Sequence, residues 1–136
     1  MTNNNIGFGK ILTEKEAASL NPLVLAYVGD AVESLFVRHR LAVSHDLKAG
    51  ELHKLASDKV NAHEQAVLSD KLFDILSDDE KSVFLRGRNG KAHHKAKNQT
   101  GADYRKATGL EAVLGYLYLT GNNERINQLL GNYYED

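Results

Sequence analysis

Residues 21–40 (Asn-Pro-Leu-Val-Leu-Ala-Tyr-Val-Gly-Asp-Ala-Val-Glu-Ser-Leu-Phe-Val-Arg-His-Arg) constrain the fold more than any other stretch. Asn21 is a favoured N-cap, and Pro22 at the first helical position gives up no needed hydrogen bond. Apolar residues dominate from there to Val43, so the stretch predicts a helix over 22–43. Steps of three or four along the face that carries Asp30 give Leu23, Tyr27, Asp30, Glu33 or Ser34, Val37 and Leu41. Asp30 is therefore expected to lie buried among apolar neighbours, where an ionised carboxylate is costly unless it is paired or holds a cation. Gly29 beside it costs a helix ~1 kcal/mol against alanine. Two departures from local preference at adjacent positions point to function.

Most other segments share the three-to-four spacing, and the 136 residues hold a single proline, so the expected class is all-α. Thr13-Glu-Lys-Glu16 is a capping box that opens a short helix to Ser19 or Leu20. Helices are expected over 47–60 and 62–76, either separated by a break near Asn61 or continuous as one bent helix, and Ser77-Asp-Asp-Glu80 is a second capping box that opens a helix to Gly87. Asn89 to Gly101 is polar and basic, with glycine near both ends, and reads as a solvated loop. Asp103 is expected to cap a helix over 104–119, and Asn122 or Asn123 a last helix to Tyr134. The length fits one domain over 1–136, with residues 1–12 as a loose arm. The absence of cysteine excludes a disulfide framework, thiolate zinc sites and cysteine nucleophiles, and it fits a reducing, cytoplasmic setting. Met1 to Gly9 lacks the apolar core of a signal peptide, and no uninterrupted apolar run reaches the ~18 residues of a membrane span.

The helix over 104–119 repeats the anomaly of the first. Its stripe runs Tyr104, Ala107 or Thr108, Glu111, Leu114 or Gly115, Tyr118, a lone acid among apolar and small residues. Small residues flank both acids and would let two helices approach closely. Two carboxylates converging from neighbouring helices suit a hard cation such as Mg²⁺, which takes oxygen ligands and can polarise a phosphodiester. The bland alternative is that Asp30 and Glu111 each pair with arginine or lysine at a helix contact. Charge adds a second signal. Arg86 to Lys106 holds seven bases (Arg86, Arg88, Lys91, Lys95, Lys97, Arg105, Lys106) against one acid, Asp103, while the rest of the chain holds ten bases and seventeen acids. A positive block on an acidic molecule suggests a polyanion partner, although a charge run is more often only a solvated surface. His93 and His94 are adjacent and face different ways, so phosphate or sugar contact suits them better than a metal site.

These residues resemble a known family. Ala26-Tyr-Val-Gly-Asp-Ala-Val32 resembles the signature helix of the ribonuclease III catalytic domain, and Thr108-Gly-Leu-Glu-Ala-Val-Leu-Gly-Tyr-Leu-Tyr-Leu119 its second acidic helix. The likeness is greatest to the short form, Mini-ribonuclease III, which lacks the double-stranded-RNA-binding domain. It takes in Val37-Arg-His39, Leu52-His-Lys54, Leu85-Arg-Gly-Arg-Asn89, Lys97-Asn98 and Tyr104-Arg105, in the right order from about residue 20 to 130. The resemblance implies a homodimeric helical endonuclease that cuts double-stranded RNA with Mg²⁺ and leaves 5′-phosphate ends. Asp30 and Glu111 would be its catalytic, metal-binding acids, and Arg86, Arg88, Lys91, His94, Lys95, Lys97, Tyr104 and Arg105 its RNA contacts. The implied substrate is the 23S ribosomal RNA precursor, with a ribosomal protein as a further partner. Full-length ribonuclease III carries two more acids, at positions held here by Ala26 and Thr108. Their loss motivates the alternative, a non-catalytic RNA-binding or ribosome-associated protein of the same fold.

Overall fold

A computed structural model describes residues 8–90, 101–131 and 134. Among the described residues seven helices follow in order: α1 (Glu14–Ala18), α2 (Pro22–Ser44), α3 (Ala49–Lys59), α4 (Ala62–Leu72), α5 (Asp78–Arg88), α6 (Gly101–Leu119) and α7 (Asn123–Gly131), with one 3₁₀ turn at Phe73–Ile75. The class is all-α, as the periodicity implied. Local chemistry fixes most helix starts. Thr13 and Ser77 form reciprocal capping boxes with Glu16 and Glu80, and Asn21 and Asn61 accept from the backbone N–H of Leu23 and Glu64. The break near Asn61 is real, because that residue caps α4. The apolar run beyond Leu72 tightens into the 3₁₀ turn instead of continuing the helix. Asp103 is not a cap: α6 begins at Gly101, and Asp103 lies in its first turn, 3.1 Å from His63 Nδ1.

Helix α6 is the central element. Residues 107–110 and 112–117 of it are buried, and α2, α4 and α5 pack around it. The core formed there is aliphatic: Leu25, Leu68, Leu110, Val113, Leu114, Leu129 and Leu130 are each at most 2 % exposed. Helix α7 is held across α5 by a fork-like contact in which Arg125 Nε and Nη2 each donate to Glu80 at 2.9 Å. Of the expected loose arm, residues 1–7 lie outside the described residues, while Leu12 donates its N–H to Leu119 O at 2.8 Å and Phe8 packs 6.4 Å from Tyr118.

The α2–α6 contact is unusually close. A Cβ built on Gly29 would stand 1.7 Å from Glu111 O, and one on Gly115 would stand 1.9 Å from Leu25 O. Only hydrogen fits at either position, so the helix-weakening glycine read from the sequence is a packing requirement. Gly29→Ala or Gly115→Ala must push the helices apart, and each is expected to cost about 1–3 kcal/mol, seen as a lowered thermal midpoint. Gly50→Ala is the control: its Cβ meets nothing within 4 Å, so it is expected to be neutral or slightly stabilising.

Candidate active site

The close approach of α2 and α6 brings Asp30 and Glu111 near enough for each carboxyl group to feel the other's charge. Asp30 is exposed, which corrects the expectation of a buried aspartate. The fully buried acid of α2 is Glu33, one turn further on and 0 % exposed. Its Oε1 accepts from Gln65 Nε2 at 2.7 Å, and its Oε2 from the Tyr134 hydroxyl at 2.6 Å. The same Gln65 Nε2 donates to Glu111 Oε2 at 3.1 Å. Four segments thus converge: α2 supplies Asp30 and Glu33, α4 supplies Gln65, α6 supplies Glu111, and the C-terminal segment supplies Tyr134.

Electrostatics follow from that crowding. Burial pushes the Glu111 carboxyl up to about 8, and repulsion from Asp30 and Glu33 adds to it against the opposing hydrogen bond from Gln65. Burial also raises Glu33, partly offset by its hydrogen bonds from Tyr134 and Gln65. Among the described residues, no lysine or arginine forms an ion pair with Asp30, Glu33 or Glu111. The salt-bridge alternative for the two candidate acids therefore lacks a partner there. Asp30 and Glu111 present oxygens suited to a hard cation, while Glu33 is turned into its own network. No cluster of three or more His, Cys, Asp or Glu side chains suitable for a metal forms among the described residues. A cation here would have two protein carboxylates and complete its shell with water, as Mg²⁺ commonly does.

Ala26 is buried and Thr108 nearly so, and Thr108 Oγ1 donates back to Tyr104 O at 3.0 Å, so neither brings an acid or an outward-facing ligand. The expected RNA-contact residues divide into three groups. Lys91, His94, Lys95 and Lys97 lie outside the described residues. Arg86 is committed to backbone carbonyls, donating to Ala18 O at 2.6 Å and Leu20 O at 3.0 Å, where it fixes the α1–α2 connection. Arg88 and Tyr104 are half-buried and Arg105 is exposed; Arg88 Nε donates to Asn89 Oδ1 at 3.2 Å. Lys106 of the same basic stretch pairs with Asp70 at 2.9 Å. Gln65 and Tyr134 were not expected as site residues. The sequence held one signal for the first: Gln65 lies three residues after Ala62 and three before Leu68, a polar residue on an apolar face.

A groove of about 1040 Å³ opens beside Asp30 and is lined by it together with Tyr27, Leu35, His39, Tyr118 and Asn127. Its α2 wall exposes large apolar side chains, with Tyr27 80 % and Leu35 57 % exposed.

The profile of the family described as Ribonuclease III domain matches residues 23–122, a span that contains both acidic helices. The chain belongs to the ribonuclease III family. A Mini-ribonuclease 3 from Thermoanaerobacter sp. strain X514 is 42% identical over 121 residues, covering 89% of this chain and 85% of the relative. Another from Brevibacillus brevis is 46% identical over 110 residues, covering 81% of this chain and 82% of the relative. A crystal structure of a Fusobacterium nucleatum protein superposes with a TM-score of 0.77 at 29% identity, covering 85% of this chain and 92% of that one. The ribonuclease III resemblance carried by the two acidic helices is thereby borne out over most of the chain.

Glu111 gives the site a measurable pH signature. Its folded value of about 8 stands above the ordinary 4.5, so its neutral form favours folding. That contribution is complete below 4.5 and is lost as pH rises to about 8. In metal-free protein, the thermal-midpoint difference between wild type and Glu111→Gln is expected to shift steadily against the wild type across this window. Parallel pH profiles for the two proteins would contradict it.

Proposed function

We propose that the chain cuts double-stranded RNA at the Asp30–Glu111 pair, with Mg²⁺ as the divalent cation and 5′-phosphate ends as products. Membership of the ribonuclease III family makes it an endoribonuclease acting on double-stranded RNA. The observation that carries the assignment of residues is the convergence of two carboxylates from α2 and α6 with no cationic side chain paired to them among the described residues. Asp30 and Glu111 would hold the divalent cation, which would supply Lewis-acid polarisation of the scissile phosphate and activation of the attacking water. Asp30, exposed at the groove, reaches toward solvent and substrate. Glu111, half-buried, gives up its proton when a cation binds, so binding tightens as pH rises.

Grip on the duplex comes from the basic stretch that leads into α6. An A-form duplex is recognised through phosphates and 2′-hydroxyls, which suits exposed cations such as Arg105. Arg105→Glu is expected to weaken binding alike on all duplex sequences and to reduce the salt slope by about one unit. The stalk of the 23S ribosomal RNA precursor is the natural substrate in this reading, with a cytoplasmic site of action. Homodimerisation covers the exposed apolar wall of α2. Tyr27→Asp is expected to shift the sedimenting species from dimer to monomer, and an unchanged sedimentation coefficient would place the dimer contact elsewhere.

The activity is tested with an end-labelled RNA duplex and its single strands, in Mg²⁺ or EDTA. Mg²⁺-dependent cuts confined to the duplex, and absent in a folded Asp30→Asn variant, are expected. A duplex that is bound and left whole by the wild type would support the non-catalytic alternative.

A further inference from the structure

Gln65 occupies an unusual place. It is 4 % exposed, and its single side-chain nitrogen serves two carboxylates from two other helices, Glu33 Oε1 at 2.7 Å and Glu111 Oε2 at 3.1 Å. An amide nitrogen carries two hydrogens, so these bonds use its whole donor capacity. The orientation is chemically selected. Turned over, the amide would present its carbonyl oxygen to Glu111 in the ionised form that binds a cation, and the two oxygens would repel. Glu33 in turn is fixed from its other side by the Tyr134 hydroxyl at 2.6 Å, and Tyr134 is itself buried beside Phe36, with ring centroids 6.3 Å apart. A buried carboxylate, amide and phenol are expensive where apolar side chains would pack as well, and they persist only where each is satisfied. This network reaches Glu111 and so ends on the candidate cation site.

We propose that Gln65 is a positioning residue that holds the Glu111 carboxylate for cation binding, and that Glu33 and the Tyr134 hydroxyl lock the Gln65 amide in the orientation this requires. The proposal rests on the reading of Asp30 and Glu111 as the cation-holding pair. With Oε2 engaged by Gln65, rotation of the Glu111 carboxylate is restrained and its place beside Asp30 is preset. Outer partners that orient a metal ligand in this way commonly set affinity by about 10–100-fold. Tyr134 lies more than a hundred residues from Glu33 in sequence (a separation of 101), so the C-terminal segment becomes part of the site's support and not only of its packing.

The test is Mn²⁺ binding to the purified full chain, read by electron paramagnetic resonance, beside the Mg²⁺ dependence of duplex cleavage. Gln65→Leu is expected to weaken Mn²⁺ binding about tenfold and to raise the half-saturating Mg²⁺ concentration by a similar factor. KM for the duplex at saturating Mg²⁺ should stay unchanged. Tyr134→Phe, which keeps the ring and removes only the hydroxyl, is expected to shift both quantities in the same direction by less. Glu33→Gln, which can still hydrogen-bond, should fall between wild type and Gln65→Leu. A folded Gln65→Leu with wild-type Mn²⁺ affinity, beside an Asp30→Asn variant that has lost it, overturns the positioning role alone. Wild-type affinity in Asp30→Asn overturns the reading of the cation site and the positioning role with it. Should Gln65→Leu fail to fold, Tyr134→Phe decides: Mn²⁺ affinity and Mg²⁺ dependence both unchanged in that variant would overturn the relay.

Discussion

The site depends on how close two helices can come. Backbone meets backbone where Gly29 of α2 faces Glu111 and Gly115 of α6 faces Leu25, and no side chain larger than hydrogen fits at either glycine. The two glycines sit in helix interiors, where each is intrinsically unfavourable by ~1 kcal/mol against alanine. What they permit is an arrangement that ordinary helix packing at 8–10 Å between axes does not readily give, two carboxylates on facing helices close enough to repel one another. The surrounding structure serves this contact. Burial of α6 by α2, α4 and α5 fixes the axis on which Glu111 rides, and Arg86, bound to the carbonyls of Ala18 and Leu20, fixes the chain where it enters α2.

Bringing acids together in a largely apolar core has a cost, and the cost shows which state the site awaits. Glu111 is held near 8 because burial and two neighbouring carboxylates disfavour its charge. A lysine or arginine in the cluster would have relieved that strain permanently, and among the described residues none does. In the function proposed above, a cation from solution would supply that relief, with Asp30 exposed to meet it. Glu33 solves the same problem differently. It is satisfied internally by Gln65 and Tyr134, and its carboxylate becomes a fixed point from which the next one is oriented.

Much of this was legible in the sequence, for identifiable reasons. Helix starts were readable because Thr13, Asn21, Asn61 and Ser77 cap by short-range chemistry that needs no knowledge of the fold. Gly29, Asp30 and Glu111 stood out because each breaks a local rule. The burial of Asp30 was misjudged because periodicity cannot distinguish an apolar face that covers the core from one left open. The stripe drawn through Asp30 starts on the open side, where Tyr27 is 80 % exposed, and reaches the core face only at its C-terminal end, at Val37 and Leu41; the core face itself begins at Leu25 and Gly29. Arg86 read as part of a charge block because its carbonyl partners lie 66 and 68 residues away. Gln65 escaped notice for the same reason: its partners are 32 and 46 residues distant, and the signal it gave, one polar residue on an apolar stripe, points to no site until those partners are placed.

The most direct measurement is a double-mutant cycle across the two helices, using Asp30→Asn, Glu111→Gln and the combined variant, with single-turnover cleavage of a duplex in saturating Mg²⁺ as the readout. Residues that act as one unit lose their function once. The expected result is that either single change removes nearly all of the rate and that the double variant is no slower than the worse single. Losses that multiply, with the double variant slower by the product of the two single effects, would show the acids working independently. That would contradict a site made by their convergence.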